Sequence, residues 1–597
     1  MLLQWLAEQA ERLEGLPPEF YRYRQIDWAL VITTDGAAPS LADRRPPPKS
    51  RGEATVEAVP YVQRSGTRVP PFLLVDTAEF VLGRARGEGD EQGPSEKGVA
   101  EAARRRGEYL ALLRRWADEV PDDPSAGLVL EVLTRGRAGI EVPPEVDARH
   151  TVGVLVDGRW LHERASVREL WARVVRERKG AGGAQQELCL VCGEPGDLLS
   201  TIPEPIKKGA IPSTGGSNEA QLVSVNSPAQ GRGGAVKLVN TPVCDRCGSR
   251  SMAALNTMLA SGRHRRSLSD GVLLWWTREP VDEPLIELID DNDPDPDAVA
   301  HLIDTLHHTP DPAAAGRVDP NDFYALTLGL NNARTVVREW LDVPLHTVKA
   351  NLGAWFEDHG VHDGWRGATR YLPLWHLTLA AGRHNGTQYV KGTAPHGIER
   401  ELLHSALRRT PPPARLLPLL LQRIRADHRI DAPRTALLRL ALNRSHDRTD
   451  RPMPRLDSDS TDPAYLCGRA FAVLEAIQTA ALPDVKATIG DKYFGTAMTA
   501  PAAVLANLRH GANAHLKRLR RDKPGAHTAL SERLAQVLGA LTDDPPTHLS
   551  PREQARFVIG YEQQRAADFA AKAAATAAKA AAKAAKAAAN TPDEQPS

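Results

Sequence analysis

Ile26-Asp27-Trp28-Ala29-Leu30-Val31-Ile32 is an apolar, partly β-branched run of strand length, and it sets the class of everything around it. Before it, Leu2 to Leu13 carries helical spacing. After it, further strands are expected over Val69 to Val75 and Val152 to Leu155, with an arginine-rich helix between them from about Glu101 to Ala117. Residues Arg84 to Gly98 are rich in glycine and charge and read as a loop. Val272-Leu273-Leu274-Trp275-Trp276 closes the region as a last buried strand, so residues 1–278 read as an α+β domain. From Phe323 the pattern changes. Leu326, Leu330, Val337, Trp340 and Leu341 fall on one side of an expected helix ending near Pro344, opening a helical middle domain over 323–450. Leu466, Ala470, Leu474, Ile477 and Ala481 repeat at helical spacing in 453–567, where four amphipathic segments suit a four-helix-type bundle. Residues 568–597 form an Ala/Lys-rich tail, in which Lys572, Lys579, Lys583 and Lys586 share one helix face.

The chain has 597 residues, 42% of them hydrophobic, which is enough for several domains that bury their own cores. No run reaches the ~18–20 apolar residues of a membrane span, and Met1-Leu2-Leu3-Gln4-Trp5 lacks a signal-peptide layout. A cytoplasmic protein with no membrane partner is expected. Its 75 Lys+Arg balance 75 Asp+Glu, but the balance is uneven along the chain. Between Glu279 and Asp322 stand thirteen acidic residues and one basic, so the remainder carries an excess of twelve positive charges. The acidic stretch 279–322 reads as a Pro-rich solvated linker with one short helix, Ala298 to His307. Basic residues gather at Arg104 to Arg106, Arg263 to Arg266, Arg423 with Arg425, and Arg509 through Lys517, Arg518, Arg520, Arg521 and Lys523. Each is either a solvated face or part of a track for a long polyanion. Arg334 and Arg338, four apart on the expected helix, suit a grip on a nucleic-acid backbone, an acidic partner or a pair within the fold.

Four of five cysteines form two pairs, Cys189-Leu190-Val191-Cys192 and Cys244-Asp245-Arg246-Cys247. Two-residue spacing lets each pair present both thiolates to one tetrahedral ion, and four thiolates leave no open position, so a structural zinc is expected. The fifth, Cys467, reads as a small core residue. The excursion between the pairs carries Lys207-Lys208 and Ser213-Thr214-Gly215-Gly216-Ser217-Asn218, with Asn226 beyond. Glycines open the backbone N–H groups, hydroxyls and amides add donors and the lysines add charge, a composition that suits phosphate contact as well as a plain flexible loop. No Walker pattern, zinc-protease motif, nucleophile elbow or dinucleotide fingerprint is present, and no enzymatic activity is expected.

Distributed strings then point to a family: Pro71-Phe72-Leu73-Leu74-Val75-Asp76 with Phe80-Val81-Leu82-Gly83; Asp157-Gly158-Arg159-Trp160; Leu222-Val223-Ser224-Val225-Asn226; Leu328-Gly329-Leu330-Asn331-Asn332-Ala333-Arg334 with Val337-Arg338-Glu339-Trp340; Arg423-Ile424-Arg425-Ala426-Asp427; and Gly468 to Glu475 with Tyr493-Phe494-Gly495. Together they resemble the large subunit of the type I-C CRISPR surveillance (Cascade) complex. The resemblance implies a non-catalytic protein that reads the duplex motif flanking the target, the PAM, and holds the opened DNA. The partners it implies are the guide RNA, the target duplex and displaced strand, the other complex subunits and the helicase-nuclease. For the reader it points to Gln63-Arg64-Ser65-Gly66-Thr67-Arg68 and to Asp76-Thr77, where the family often has Asp-Asn. The C-terminal bundle resembles the small subunit of such complexes, which the same gene can supply from an internal start. Of five methionines, Met1, Met252, Met258, Met453 and Met498, only Met453 lies just before the bundle. The alternatives are a zinc-containing nuclease and a stand-alone zinc-ribbon DNA-binding protein.

Overall fold

Trp28–Ile32 is a strand because it is buried almost throughout and pairs on both sides. It runs parallel to Thr151–Val156, with Trp28 opposite Val152, and antiparallel to Ser40–Asp43. Val75–Thr77 and Arg159–Trp160 pair with Thr151–Val156, giving a five-stranded sheet in the computed structural model. That model describes residues 2–46, 56–64, 69–89, 93–135, 139–180, 187–212, 219–282, 284–307, 321–331, 334–364, 366–445 and 451–589. At the centre of the sheet Gly153 is a packing necessity, since a Cβ there would stand 2.9 Å from the Trp160 ring and 3.0 Å from Ile26.

Helices Glu96–Glu119 and Ala165–Lys179 cover this sheet. Tyr109, Leu112, Leu113 and Trp116 of the first recur at three and four residues and join Val167, Leu170, Trp171, Val174 and Val175 in one core with Leu30, Ile32, Val152 and Val154. The first helix starts where the Ser95 hydroxyl accepts the Gly98 N–H at 3.1 Å, inside the expected loop Arg84 to Gly98. The strand expected over Val69 to Val75 is shortened to its last residue. Pro70-Pro71 supplies no N–H to a ladder, and Phe72, Leu73 and Leu74 are buried as irregular chain instead.

The helix expected over 323–344 is corrected. Asp322–Asn331 and Arg334–Pro344 are strands, ordered after Arg265–Leu268 and Gly271–Thr277 in a four-stranded sheet. Residues four apart share a face in a strand as well as on a helix, so the apolar spacing fitted both, and the β-branched Thr327, Thr335, Val336 and Val337 favour the strand. Gly271–Thr277 is therefore not the last strand of its sheet. The chain forms two compact units, residues 1–276 with 325–341, and residues 277–324 with 342–597.

In the second unit the acidic stretch is more than a solvated spacer. Its helices Glu287–Asp290 and Pro296–His307 bury Leu288, Ile289, Val299 and Leu302, the longer one packing on helix Leu345–His359. A small hairpin, Val361–Asp363 with Ala368–Arg370, follows where no strand was expected. Beyond it lie helices Leu374–Ala380, Ile398–Arg408, Leu416–Asp427 and Ala432–Asn443. Arg434 on the last is fully buried, paired with Asp427 and donating to the Ala380, Gly382 and Arg429 carbonyls.

Five C-terminal helices follow among the described residues, Pro463–Ala481, Ile489–Thr499, Pro501–Asp522, Pro524–Ala540 and Pro551–Ala589, rather than the four expected. Proline opens four of them, where its fixed φ suits a first turn and its missing N–H costs nothing. Pro463–Ala481 packs on the other four. Its Gly468 meets the Phe557 carbonyl and Gly560 of the last helix meets the Tyr465 carbonyl, so side chains at these two positions would force the backbones apart. Cys467 is fully buried on this helix. No helix among the described residues is long and apolar enough to cross a membrane.

Candidate functional site

Cys189 follows strand Glu187–Leu188, and Cys192 precedes Gly193, whose φ of 74° turns the chain into strand Pro195–Gly196. Cys244 precedes helix Asp245–Ala260 and Cys247 lies in its first turn. The four Sγ atoms lie within 4.8 Å of one another. The N–H groups of Val191 and Cys244 point at Cys189 Sγ at 3.4 and 3.3 Å, as donors do to a metal-bound thiolate. Burial works against a Cys189 thiolate, yet donors from Cys244, Cys192 and Val191 outweigh it and bring the thiol down to about 7. Burial and the neighbouring sulfurs push Cys244 up to about 11 and raise Cys247 as well. Four crowded thiols cannot all ionise unless a cation holds them, and all-sulfur tetrahedral donors fit zinc. Leu3, Val191 and Val243 pack around the sulfurs. The cysteines thereby join the helix Leu2–Gln9 to the head of helix Asp245–Ala260.

The stapled excursion meets the segments of Gln63 and Arg334. The Gln221 amide donates to Gln63 Oε1, the Gln63 N–H donates to the Pro203 carbonyl at 2.8 Å, and Gln221 pairs in parallel with Arg334 across a β-bridge. Ser65, Gly66, Thr67, Arg68, Ser213, Thr214, Ser217 and Asn218 all lie outside the described residues. Below these contacts, Arg22 pairs with Glu204 at 3.6 Å and Glu219 at 3.1 Å and lies 4.7 Å over the Tyr61 ring. Burial raises Glu204 to about 7 despite Arg22 and Lys207, and burial lowers Lys207. The Asn256 amide fixes this floor, accepting the Lys207 N–H at 3.2 Å and donating to the Pro205 carbonyl at 3.0 Å. Lys208, Asn226 and Arg334 are exposed. Gln221 belongs to the stretch Gln221 to Asn226 that the sequence marks for phosphate contact, whereas Arg22, Glu204 and Asn256 are isolated polar residues that form no motif.

Asp76 is not a surface reader. It is fully buried, its oxygens taken by Arg64 and by the N–H groups of Phe72 and Thr77, each at 2.7 Å. The Arg64 guanidinium lies 3.4 Å over the Phe72 ring, so the two charges are spent on each other within the fold. Thr77 sits in the sheet opposite Thr151. Arg338 is likewise committed, to Asp270 at 2.9 Å. The Arg104 to Arg106 cluster is internal: Arg104 pairs with Glu101 and Glu108, Arg105 with Glu79 and Glu101, and Arg106 donates to the Val81 and Leu133 carbonyls.

In the second unit, helix Pro501–Asp522 exposes Arg509, Lys517 and Arg520 along one side. Arg518 and Arg521 pair with Asp522, and Lys523 donates to the Ala480 carbonyl at 3.0 Å. Lys572 is exposed, while the side chains of Lys579, Lys583 and Lys586 lie outside the described residues.

A family model described as CRISPR-associated protein (Cas_Csd1) matches residues 3–569. No curated protein matches the chain.

Proposed function

The chain belongs to the CRISPR-associated Cas_Csd1 family, and from that premise we propose that it is the non-catalytic large subunit of a type I-C surveillance complex in the cytoplasm. In this reading it recognises the PAM duplex, stabilises the opened target and offers a dock to the helicase-nuclease. Its partners are the guide RNA, both DNA strands and the remaining complex subunits, the guide supplying most sequence specificity by base pairing. The closed set of four cysteine sulfurs fits a structural zinc, not a catalytic one.

One observation carries the assignment of the reader: the contact of Gln63 with Gln221 and of Gln221 with Arg334 gathers two amides and an exposed arginine at one place. Amides read base edges, and arginine holds phosphate or guanine. Binding of the reconstituted complex to targets with randomised flanking bases tests it. Replacing Gln63 and Gln221 together by alanine is expected to flatten flanking-base selection by roughly 1–3 kcal/mol per lost base contact. Arg334→Ala is expected to weaken all targets alike and to lower the salt slope by about one. Selection unchanged in the double variant would place the reader elsewhere.

The exposed Arg509, Lys517 and Arg520 give the C-terminal helices a charged track for the displaced strand. Met453 precedes these helices, and its carbonyl accepts the Gln563 amide at 2.7 Å, so a product beginning there keeps that tie. Expression of the gene with a C-terminal tag is expected to yield a second, shorter product. Met453→Leu should abolish it, and Met498→Leu should leave it intact. Persistence of the short product in Met453→Leu rules this start out.

A further inference from the structure

In the second unit a half-open pocket of about 290 Å³ is enclosed by strand Val361–Asp363, helix Ala432–Asn443, the segment 454–456 and helix Pro551–Ala589. Its walls are largely apolar, from Val361, Ala432, Pro454, Leu456, Ala566 and Ala570. The segments around it are fixed: the His362 N–H donates to the Pro454 carbonyl at 2.9 Å, and Gln563, on the pocket wall, is held by Tyr465 at 2.7 Å. Two polar atoms in the wall are left over. Thr435 is 2% exposed and its hydroxyl has no hydrogen-bond partner, and Glu562 Oε2 is buried without one. Arg565, on the same helix, forms an ion pair with that oxygen at 3.5 Å, longer than the ~2.7–3.2 Å of a hydrogen bond. Buried polar groups are rarely left unsatisfied, so an orphaned hydroxyl beside a carboxylate oxygen that no donor reaches at hydrogen-bond distance marks, in an apolar recess, a place for a donor-bearing guest.

We infer that this pocket binds a small organic cation, an ammonium, amidinium or guanidinium on a compact apolar body, with Glu562 and Thr435 receiving its N–H groups. The volume lies at the lower end of the ~300–1,000 Å³ of ligand sites, which limits the body to about the size of one ring. The pocket adjoins a wider cleft of about 1240 Å³ that shares Val361, His362, Ala432, Glu562 and Ala566 with it, so entry is from the cleft. Glu562 also suits this guest electrostatically. Burial raises its carboxyl to about 7, outweighing Arg565, while Asp431 raises and Arg429 lowers it by less, and Arg429 is itself paired with Asp431 at 3.0 Å. The remaining charge-bearing wall groups are His362 and the exposed Arg455.

The cation binds the carboxylate, and protons compete for it below about 7. Affinity for a permanent cation should rise about tenfold from pH 6 to pH 8.

Benzamidinium, with its neutral isostere benzamide as control, tests the inference by calorimetric titration of the full chain. Benzamidinium is expected to bind about tenfold or more tightly than benzamide, since a charged hydrogen bond is lost with the charge. Glu562→Gln should cost benzamidinium at least about tenfold while leaving benzamide unchanged, and Thr435→Val should cost it roughly fivefold. Equal binding of the two probes, or of benzamidinium to wild type and Glu562→Gln, overturns the inference. If Glu562→Gln does not fold, the wild-type series from pH 6 to pH 8 decides, and a flat profile overturns it.

Discussion

Cys247→Ser is expected to release the metal and unfold the region between the two cysteine pairs, with a loss of stability larger than any other single substitution in the first unit should cause. Structural zinc sites contribute on the order of 10–16 kcal/mol of apparent folding free energy in isolated fingers, and here the four sulfurs hold together elements far apart in sequence. Cys189 and Cys192 turn the hairpin over 187–196, and Cys244 and Cys247 set the head of helix Asp245–Ala260, whose Ser251 hydroxyl donates to the Leu3 carbonyl at 2.8 Å. Leu3 in turn packs on the cysteines. Elemental analysis should return one zinc per chain, and none in Cys247→Ser. A loss of even about 5 kcal/mol lowers the melting temperature by roughly 10–20 °C in a unit of this size. Cys467→Ser is the control, because that thiol is buried alone on helix Pro463–Ala481 and should leave the zinc content untouched. A metal-free wild-type chain that melts at the same temperature as the zinc-loaded one would remove the case for a structural ion.

Loss of zinc should also reach the Gln63–Gln221 contact. Gln221 lies between the cysteine pairs, and its partner Gln63 is held by the Pro203 carbonyl of the same excursion. Flanking-base selection is therefore expected to fall with zinc, even though no cysteine touches the candidate nucleic-acid surface.

The parts of this arrangement that could be read in sequence are those whose chemistry is local. Cys-x-x-Cys constrains two ligands by itself, and the four thiols do meet. Trp28–Ile32 and Thr151–Val156 are apolar because both strands are buried, and burial of that kind shows in composition. What failed was periodicity shared by two structures: spacings of four at Leu326, Leu330, Val337 and Leu341 suit a helix, yet pairing of Asp322–Asn331 with Gly271–Thr277 and of Arg334–Pro344 with Asp322–Asn331 made them strands. Asp290 to Asp297 looked solvated because its carboxylates dominate the composition, while the few apolar residues beside them, Leu288, Ile289, Val299 and Leu302, carry the packing. The basic clusters were ambiguous for a related reason. Arginine triplets look alike whether they face solvent or, as at Arg104 to Arg106, are spent on Glu79, Glu101 and backbone carbonyls. The convergence of Gln63, Gln221 and Arg334 is a matter of long-range contact and leaves no mark on any one segment.

Asp76→Ala is expected to be the next most costly change, at about 3–5 kcal/mol, because it strands a half-buried guanidinium and two backbone donors at once. Arg64 would remain flat on Phe72 with no carboxylate to balance it, and the N–H groups of Phe72 and Thr77 would have lost their acceptor. Arg64→Met should cost less, since it leaves Asp76 with both backbone donors and keeps apolar contact with Phe72 and Phe80. Asp76→Asn should fall between, retaining an acceptor oxygen while giving up the charge. Urea unfolding of the full chain followed through the first unit would order the three variants. An Asp76→Ala chain within about 1 kcal/mol of wild type would show that the pair is a spectator. The expected ordering also separates bracing from reading. If Asp76 contacted DNA bases, Asp76→Asn, which adds a donor, would change which flanking bases are preferred. As a brace acting through Arg64, it should lower the affinity for all flanking sequences in proportion to lost stability and leave their ranking unchanged, whereas the double replacement of Gln63 and Gln221 should alter the ranking itself.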